Sequence, residues 1–93
     1  MDLEKDVEQY LKNRVERAAG ICLKFTSPGI IGVPDRIVIT QRSVFFIELK
    51  QSKGRLSKSQ EKWIEKLRFY RKKVFVISSK QEVDEFMTDE FWR

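Results

Sequence analysis

Asp35-Arg36-Ile37-Val38-Ile39-Thr40-Gln41-Arg42-Ser43-Val44-Phe45-Phe46-Ile47-Glu48-Leu49-Lys50 is the stretch on which the fold turns. Two runs rich in β-branched and aromatic residues, Asp35 to Thr40 and Ser43 to Lys50, flank Gln41-Arg42, which predicts a hairpin. The second run is apolar on both faces until its end, as a central strand covered on both sides should be. Strand side chains alternate, so Val44, Phe46, Glu48 and Lys50 share one face, and Phe45, Ile47 and Leu49 the other. With Gln41 and Arg42 at the turn, paired positions sum to 83. Val44 then faces Ile39, Phe46 faces Ile37, and Asp35 lies opposite Glu48. Directly opposed residues have Cβ atoms roughly 5 Å apart, where two like charges are unfavourable by up to about 1 kcal/mol. A divalent cation between them reverses that sign, whereas a one-residue slip would put the acids on opposite faces.

Outward from the hairpin, Asp2 to Ala18 reads as a helix because Val7, Leu11, Val15 and Ala18 recur at spacings of three and four before Gly20. Ile21 to Phe25 suits a short strand. Ser27-Pro28-Gly29-Ile30-Ile31-Gly32-Val33-Pro34 holds two prolines and two glycines, a loop with special backbone conformations. Beyond the hairpin, Gln51 to Leu56 is polar and basic around Gly54, and Ser57-Lys58-Ser59-Gln60 has the spacing of a capping box that opens a helix to about Arg71. Val74 to Ile77 reads as a buried strand. Ser79-Lys80-Gln81-Glu82 repeats the capping pattern before a last helix carrying Val83, Phe86, Met87 and Phe91. The predicted order is αβββαβα over a single domain, residues 1–93, with no repeat and no linker.

Composition narrows the chemistry. One cysteine, Cys22, and no histidine remove disulfide frameworks, serine-histidine or cysteine-histidine catalysis and the usual zinc sites, leaving carboxylates and lysines. A net charge of +5 favours an anionic partner, nucleic acid foremost. No apolar run is long enough to cross a bilayer, and the charged start Met1-Asp2-Leu3-Glu4-Lys5-Asp6 is unlike a secretory signal, which points to the cytoplasm.

Two opposed carboxylates, Asp35 and Glu48, suit Mg²⁺ or Mn²⁺, hard cations that take a few carboxylate oxygens, water and substrate phosphate. The backbone carbonyl of Leu49 offers a further oxygen. Such an ion activates and orients a water and neutralises charge on a phosphate, and Lys50 would position or help deprotonate that water, or stabilise the transition state. The plainer reading of Glu48 and Lys50 is a solvated salt bridge at a strand end. What separates the two readings is Pro34-Asp35, at the hairpin spacing that brings the three groups together.

These residues resemble the PD-(D/E)xK nuclease superfamily, Pro34-Asp35 standing as its PD and Glu48-Leu49-Lys50 as its ExK. More narrowly, Gly32-Val33-Pro34-Asp35, Phe46-Ile47-Glu48-Leu49-Lys50 and Leu56-Ser57-Lys58-Ser59-Gln60 look like the VRR-NUC domain, the virus-type replication-repair nuclease family, as in its standalone phage and bacterial members. The resemblance implies a restriction-endonuclease-like αβββαβ core, a central mixed sheet flanked by helices, here with a C-terminal helix. It also implies an acid from the first helix and a glutamine after the lysine motif. At 100° per residue Glu4 lies within the arc of Val7, Leu11, Val15 and Ala18 and Glu8 at its edge, so Glu4 is the better inward acid; the resemblance implies that it reaches a metal, through water. Its plainer role is a favourable charge in a helix's first turn. Gln60 shares a helix face with Trp63, Ile64 and Leu67 and points inward. Its alternative is the capping box with Ser57, and one rotamer is not expected to serve both.

Lys53, Arg55 and Lys58 follow the catalytic strand and read as DNA-phosphate contacts, while Lys24, Arg36 and Arg42 lie elsewhere in the strand region. Trp63 and Tyr70 read as core, Trp92 as core or interface. The resemblance implies a metal-dependent, structure-selective DNA endonuclease akin to Holliday junction resolvases, acting on four-way junctions or flaps as a homodimer, since two strands cut symmetrically need two sites. The competing readings are a non-catalytic nucleic-acid-binding module on the same fold and a plain interaction domain.

Overall fold

The computed structural model describes residues 3–51 and 53–93. Helix α1 (Glu4–Arg17) leads into strands β1 (Ile21–Lys24), β2 (Arg36–Ile39) and β3 (Val44–Leu49). Helix α2 (Lys58–Phe69), strand β4 (Lys73–Ile77) and helix α3 (Lys80–Phe86) follow, and the chain then widens into π-helical turns over Met87–Phe91. The predicted αβββαβα order holds. Asp2, placed in the first helix from sequence, lies outside the described residues.

The sheet order is β1-β2-β3-β4, antiparallel across β1–β2 and β2–β3 and parallel across β3–β4. The hairpin register is the expected one, with Ile39 opposite Val44, Ile37 opposite Phe46 and Arg36 opposite Ile47. Neither Gln41 nor Arg42 adopts a positive φ. The turn is closed instead by Thr40, whose Oγ1 accepts from the backbone N–H of Arg42 at 3.2 Å and of Ser43 at 3.0 Å. The parallel β3–β4 pair needs a crossover, and α2 provides it.

One face of the sheet packs under α1 and α3. There Val7, Leu11, Val15, Val38, Phe45, Ile47, Leu49, Val83 and Phe86 form the core, with Phe86 edge-on to Phe45 at 5.1 Å. The other face receives α2, which buries Ile64 over β4 and leaves the β1–β2 half uncovered. Tyr70, expected in the core, is 60% exposed. It is the C-cap of α2, past the last helical turn, where its ring stands edge-on to the neighbouring Phe69 ring at 5.4 Å. Trp63 is half-buried with Lys66 Nζ over its ring, and Trp92 is exposed.

Candidate active site

Asp35 stands one residue before the paired part of β2, where the β2–β3 ladder has ended at Arg36–Ile47. Its Oδ2 accepts the N–H of Leu49 at 2.8 Å, so a side chain takes over where a backbone partner runs out. A strand residue's N–H and C=O point to the same side, so the Leu49 carbonyl also faces Asp35. Backbone pairing of Phe25 N–H with the Asp35 carbonyl, 2.9 Å, holds this segment from the β1 side.

Glu48 is 1% exposed. Its Oε2 accepts from Gln60 Nε2 at 3.1 Å, whereas its Oε1 is buried with no hydrogen-bond partner among the described residues. Burial pushes this carboxyl up to about 8. The Asp35 charge, the closeness of the two carboxyl groups, which favours the protonated acid, and the Glu4 charge add to the rise. Glu4, in the first turn of α1, is raised by its own burial and then by Asp35 and Glu8. The charges of Asp35 and Glu8 both act on it, so it lies within electrostatic reach of Asp35. Among the described residues no three acidic, histidine or cysteine side chains stand close enough to hold an ion by themselves.

Gln60 departs from expectation. Ser57 Oγ accepts the Gln60 N–H at 3.1 Å and the Ser57 N–H donates to Gln60 Oε1 at 2.7 Å, which completes the capping box. In the same rotamer Nε2 reaches Glu48. An amide has an accepting and a donating end, so the two roles set against each other from sequence coexist.

Lys50 donates through Nζ to the carbonyls of Gln51 at 3.3 Å and Gly54 at 3.2 Å. Among the described residues it forms no ion pair with Glu48, so the strand-end salt bridge does not exist, and the amine rests on its own loop. Lys53, Arg55 and Lys58 are exposed beside that loop. Arg36 is not available to a ligand: its Nε donates to Glu8 at 2.7 Å in a largely covered ion pair, with the exposed Lys24 ammonium 3.8 Å from the same carboxylate. This clamp ties α1 to the sheet one turn after Glu4. Sequence placed Glu8 at the edge of the inward arc, which was the only signal of it.

Gly32 is the other residue whose role sequence did not disclose. Its φ is +99°, and a Cβ there would lie 2.5 Å from the backbone carbon of Ser59, so the loop before Asp35 lies directly on the first turn of α2. A glycine in a Pro/Gly loop signals special backbone geometry, but not the element it touches.

Comparison with known proteins places this geometry. The VRR-NUC domain family matches residues 2–81. The chain belongs to that family. A solved VRR-NUC domain is 30% identical, with a TM-score of 0.88 over 94% of this chain and 96% of that one. The Holliday junction resolvase Hjc of Archaeoglobus fulgidus is 20% identical, with a TM-score of 0.57 over 77% of this chain and 63% of its own, a likeness of fold. A protein of Acyrthosiphon pisum secondary endosymbiont phage 1, named provisionally as the nuclease p44, is 42% identical over 48 residues. That match takes in 50% of this chain and 52% of p44, so this VRR-NUC chain spans about half the length of the curated relative it matches.

Proposed function

We propose that this VRR-NUC domain is a divalent-metal-dependent endonuclease that hydrolyses phosphodiester bonds in branched DNA, four-way junctions foremost, as a homodimer. The observation that carries the reading is the buried, unpartnered Oε1 of Glu48 beside Asp35. A buried polar atom left unpaired costs about 1–3 kcal/mol, and an all-oxygen set of Glu48, Asp35 and the Leu49 carbonyl is what Mg²⁺ or Mn²⁺ takes. Those residues would hold the ion, with Glu4 behind water. When bound, the ion supplies an activated water and neutralises charge developing on the scissile phosphate.

The chain's own groups do the rest. Gln60 fixes one Glu48 oxygen and leaves the other open. Lys50 exchanges the Gln51 and Gly54 carbonyls for the attacking water or the phosphate. Lys53, Arg55 and Lys58 take backbone phosphates and position the strand without reading sequence.

Two features support a second copy. Ile21, Leu23 and Val44 are 50%, 47% and 47% exposed on the uncovered half of the α2 face, the face from which Glu48 projects. An apolar sheet face open to water is unusual in a monomer. A symmetric pair joined there presents two sites to two strands, and the fold is shared with the Archaeoglobus resolvase.

The test is cleavage of labelled four-way junction, flap, single-stranded and linear duplex DNA with Mg²⁺, Mn²⁺ or EDTA. Branched substrates should be cut only with metal, and Asp35→Ala and Lys50→Ala should each lose about a hundredfold or more. Equal cleavage by wild type and both variants overturns the assignment. Tight binding without any cleavage would instead mark a non-catalytic nucleic-acid-binding module.

A further inference from the structure

We infer that Ser57 is a positioning residue of this site: its backbone N–H decides which end of the Gln60 amide faces Glu48, and so which Glu48 oxygen stays open to a cation. The metal-facing half of this statement rests on the nuclease reading; the orientation of the amide does not.

The two ends of a glutamine amide are nearly the same shape, so only hydrogen bonding distinguishes them. The Ser57 N–H can only donate, and at 2.7 Å it selects Oε1. The Gln60 backbone is held at the same time by Ser57 Oγ at 3.1 Å. Nε2 is thereby turned toward Glu48 Oε2 at 3.1 Å, leaving Oε1 as the unpartnered oxygen. A flipped amide would set N–H against N–H at Ser57 and oxygen against carboxylate at Glu48. The helix cap and the orientation of an acid twelve residues upstream are therefore one hydrogen-bonded chain. Second-sphere partners of this kind orient metal-binding groups, and losing one weakens metal affinity by about ten- to a hundredfold.

The backbone offers a selective probe. Ser57 sits at φ −71°, close to the value a proline ring imposes, so Ser57→Pro removes the N–H where the conformation tolerates the ring. Ser57→Ala removes only the hydroxyl, Ser57→Asp keeps both an N–H and a capping oxygen, and Gln60→Glu keeps the capping box but has no N–H for Glu48. Each variant of the 93-residue chain is titrated calorimetrically with Mn²⁺ in the absence of DNA, its melting temperature is recorded, and junction cleavage is measured separately. Ser57→Pro and Gln60→Glu should need about tenfold more Mn²⁺ for half-saturation. Ser57→Asp should match wild type, and Ser57→Ala should melt lower yet bind Mn²⁺ within about twofold of wild type. Equal Mn²⁺ affinities for Ser57→Pro and Ser57→Ala overturn the inference. Should the proline variant fail to fold, wild-type affinity in Gln60→Glu overturns it. A wild type that binds no Mn²⁺ overturns the metal-facing half. A wild type that binds Mn²⁺ and cuts nothing, with the expected order of affinities among the variants, supports the positioning role while overturning the nuclease reading.

Discussion

Glu48 is costly to the fold in its charged form, because it is buried beside Asp35. Its carboxyl is raised from 4.5 to about 8, so the folded chain retains a proton that the unfolded chain has released between those values. The folded state binds more protons in that window, and stability falls as pH rises through it. The metal-free protein should therefore melt higher at pH 5 than at pH 8 in EDTA. Added Mg²⁺ or Mn²⁺ should stabilise far more at pH 8, where an ion replaces the proton. Thermal melts with and without metal at both pH values check this, and a metal-free midpoint that is flat or rises with pH would sink it. Glu48→Gln makes the same point from the other side. A neutral amide relieves the buried charge, so the metal-free variant should melt above wild type at pH 8, by about 4–8 °C for each kcal/mol relieved, while junction cleavage is abolished. Stability and activity lost together would mean that Glu48 is structural.

At the scale of elements, the site is assembled from pieces brought in by different devices: a hairpin for Asp35 and Glu48, a capped crossover helix for Gln60, and the Glu8–Arg36 clamp on α1 for Glu4. The loop into Asp35 meets α2 at Gly32, and two glycines of that loop make a controlled comparison. Gly29 and Gly32 both have positive φ, +82° and +99°, but a Cβ at Gly29 meets nothing while one at Gly32 strikes the Ser59 backbone. Gly29→Ala should cost about 1 kcal/mol from backbone strain alone. Gly32→Ala should cost roughly 2–4 kcal/mol, because overpacking adds to the strain, and it should weaken cleavage by displacing the helix turn that carries Gln60. Denaturant melts and junction cleavage on the two variants decide it; equal losses would refute the contact. The alternation of Val44 to Lys50 and the helix starts at Ser57 and Ser79 were legible because each depends on a few neighbouring residues, although only Ser57 has the full capping box: Ser79 Oγ accepts the Glu82 N–H at 3.1 Å, while Glu82 Oε1 accepts from the Ser78 N–H at 2.6 Å. Tyr70 was not, since whether the end of a helix faces core or water depends on what lies beside it.

At the scale of the molecule, the apolar half-face of β1 and β2 is the feature a lone domain does not explain. Leu23→Glu places a charge on that face without touching Asp35, Glu48 or Gln60. Light scattering should show wild type as a dimer and the variant as a monomer, with little change in the circular dichroism of the fold. A monomeric wild type would overturn the dimer proposal, and a variant that stays dimeric would exclude this face as the contact. The monomeric variant should nick one strand of a junction while losing paired cuts.

The sequence by itself determined the element order and the hairpin register, which leads Asp35 toward the end of β3 that carries Glu48, because strand pairing around a two-residue turn follows a period of two that local chemistry sets. The family resemblance called for an acid in the first helix and a glutamine after the lysine motif, and helical phase favoured Glu4 over Glu8 and put Gln60 on the inward face. Only the tertiary structure decided how these groups are engaged: Asp35 bonded to the Leu49 N–H, Gln60 serving cap and carboxylate together, Lys50 resting on its own loop, Glu8 taken by Arg36, and Glu48 sealed with one oxygen unpaired. Those states depend on burial and on partners far away in the chain, and the desolvation that raises Glu48 exists only in the folded molecule, where α2 brings Gln60 to it.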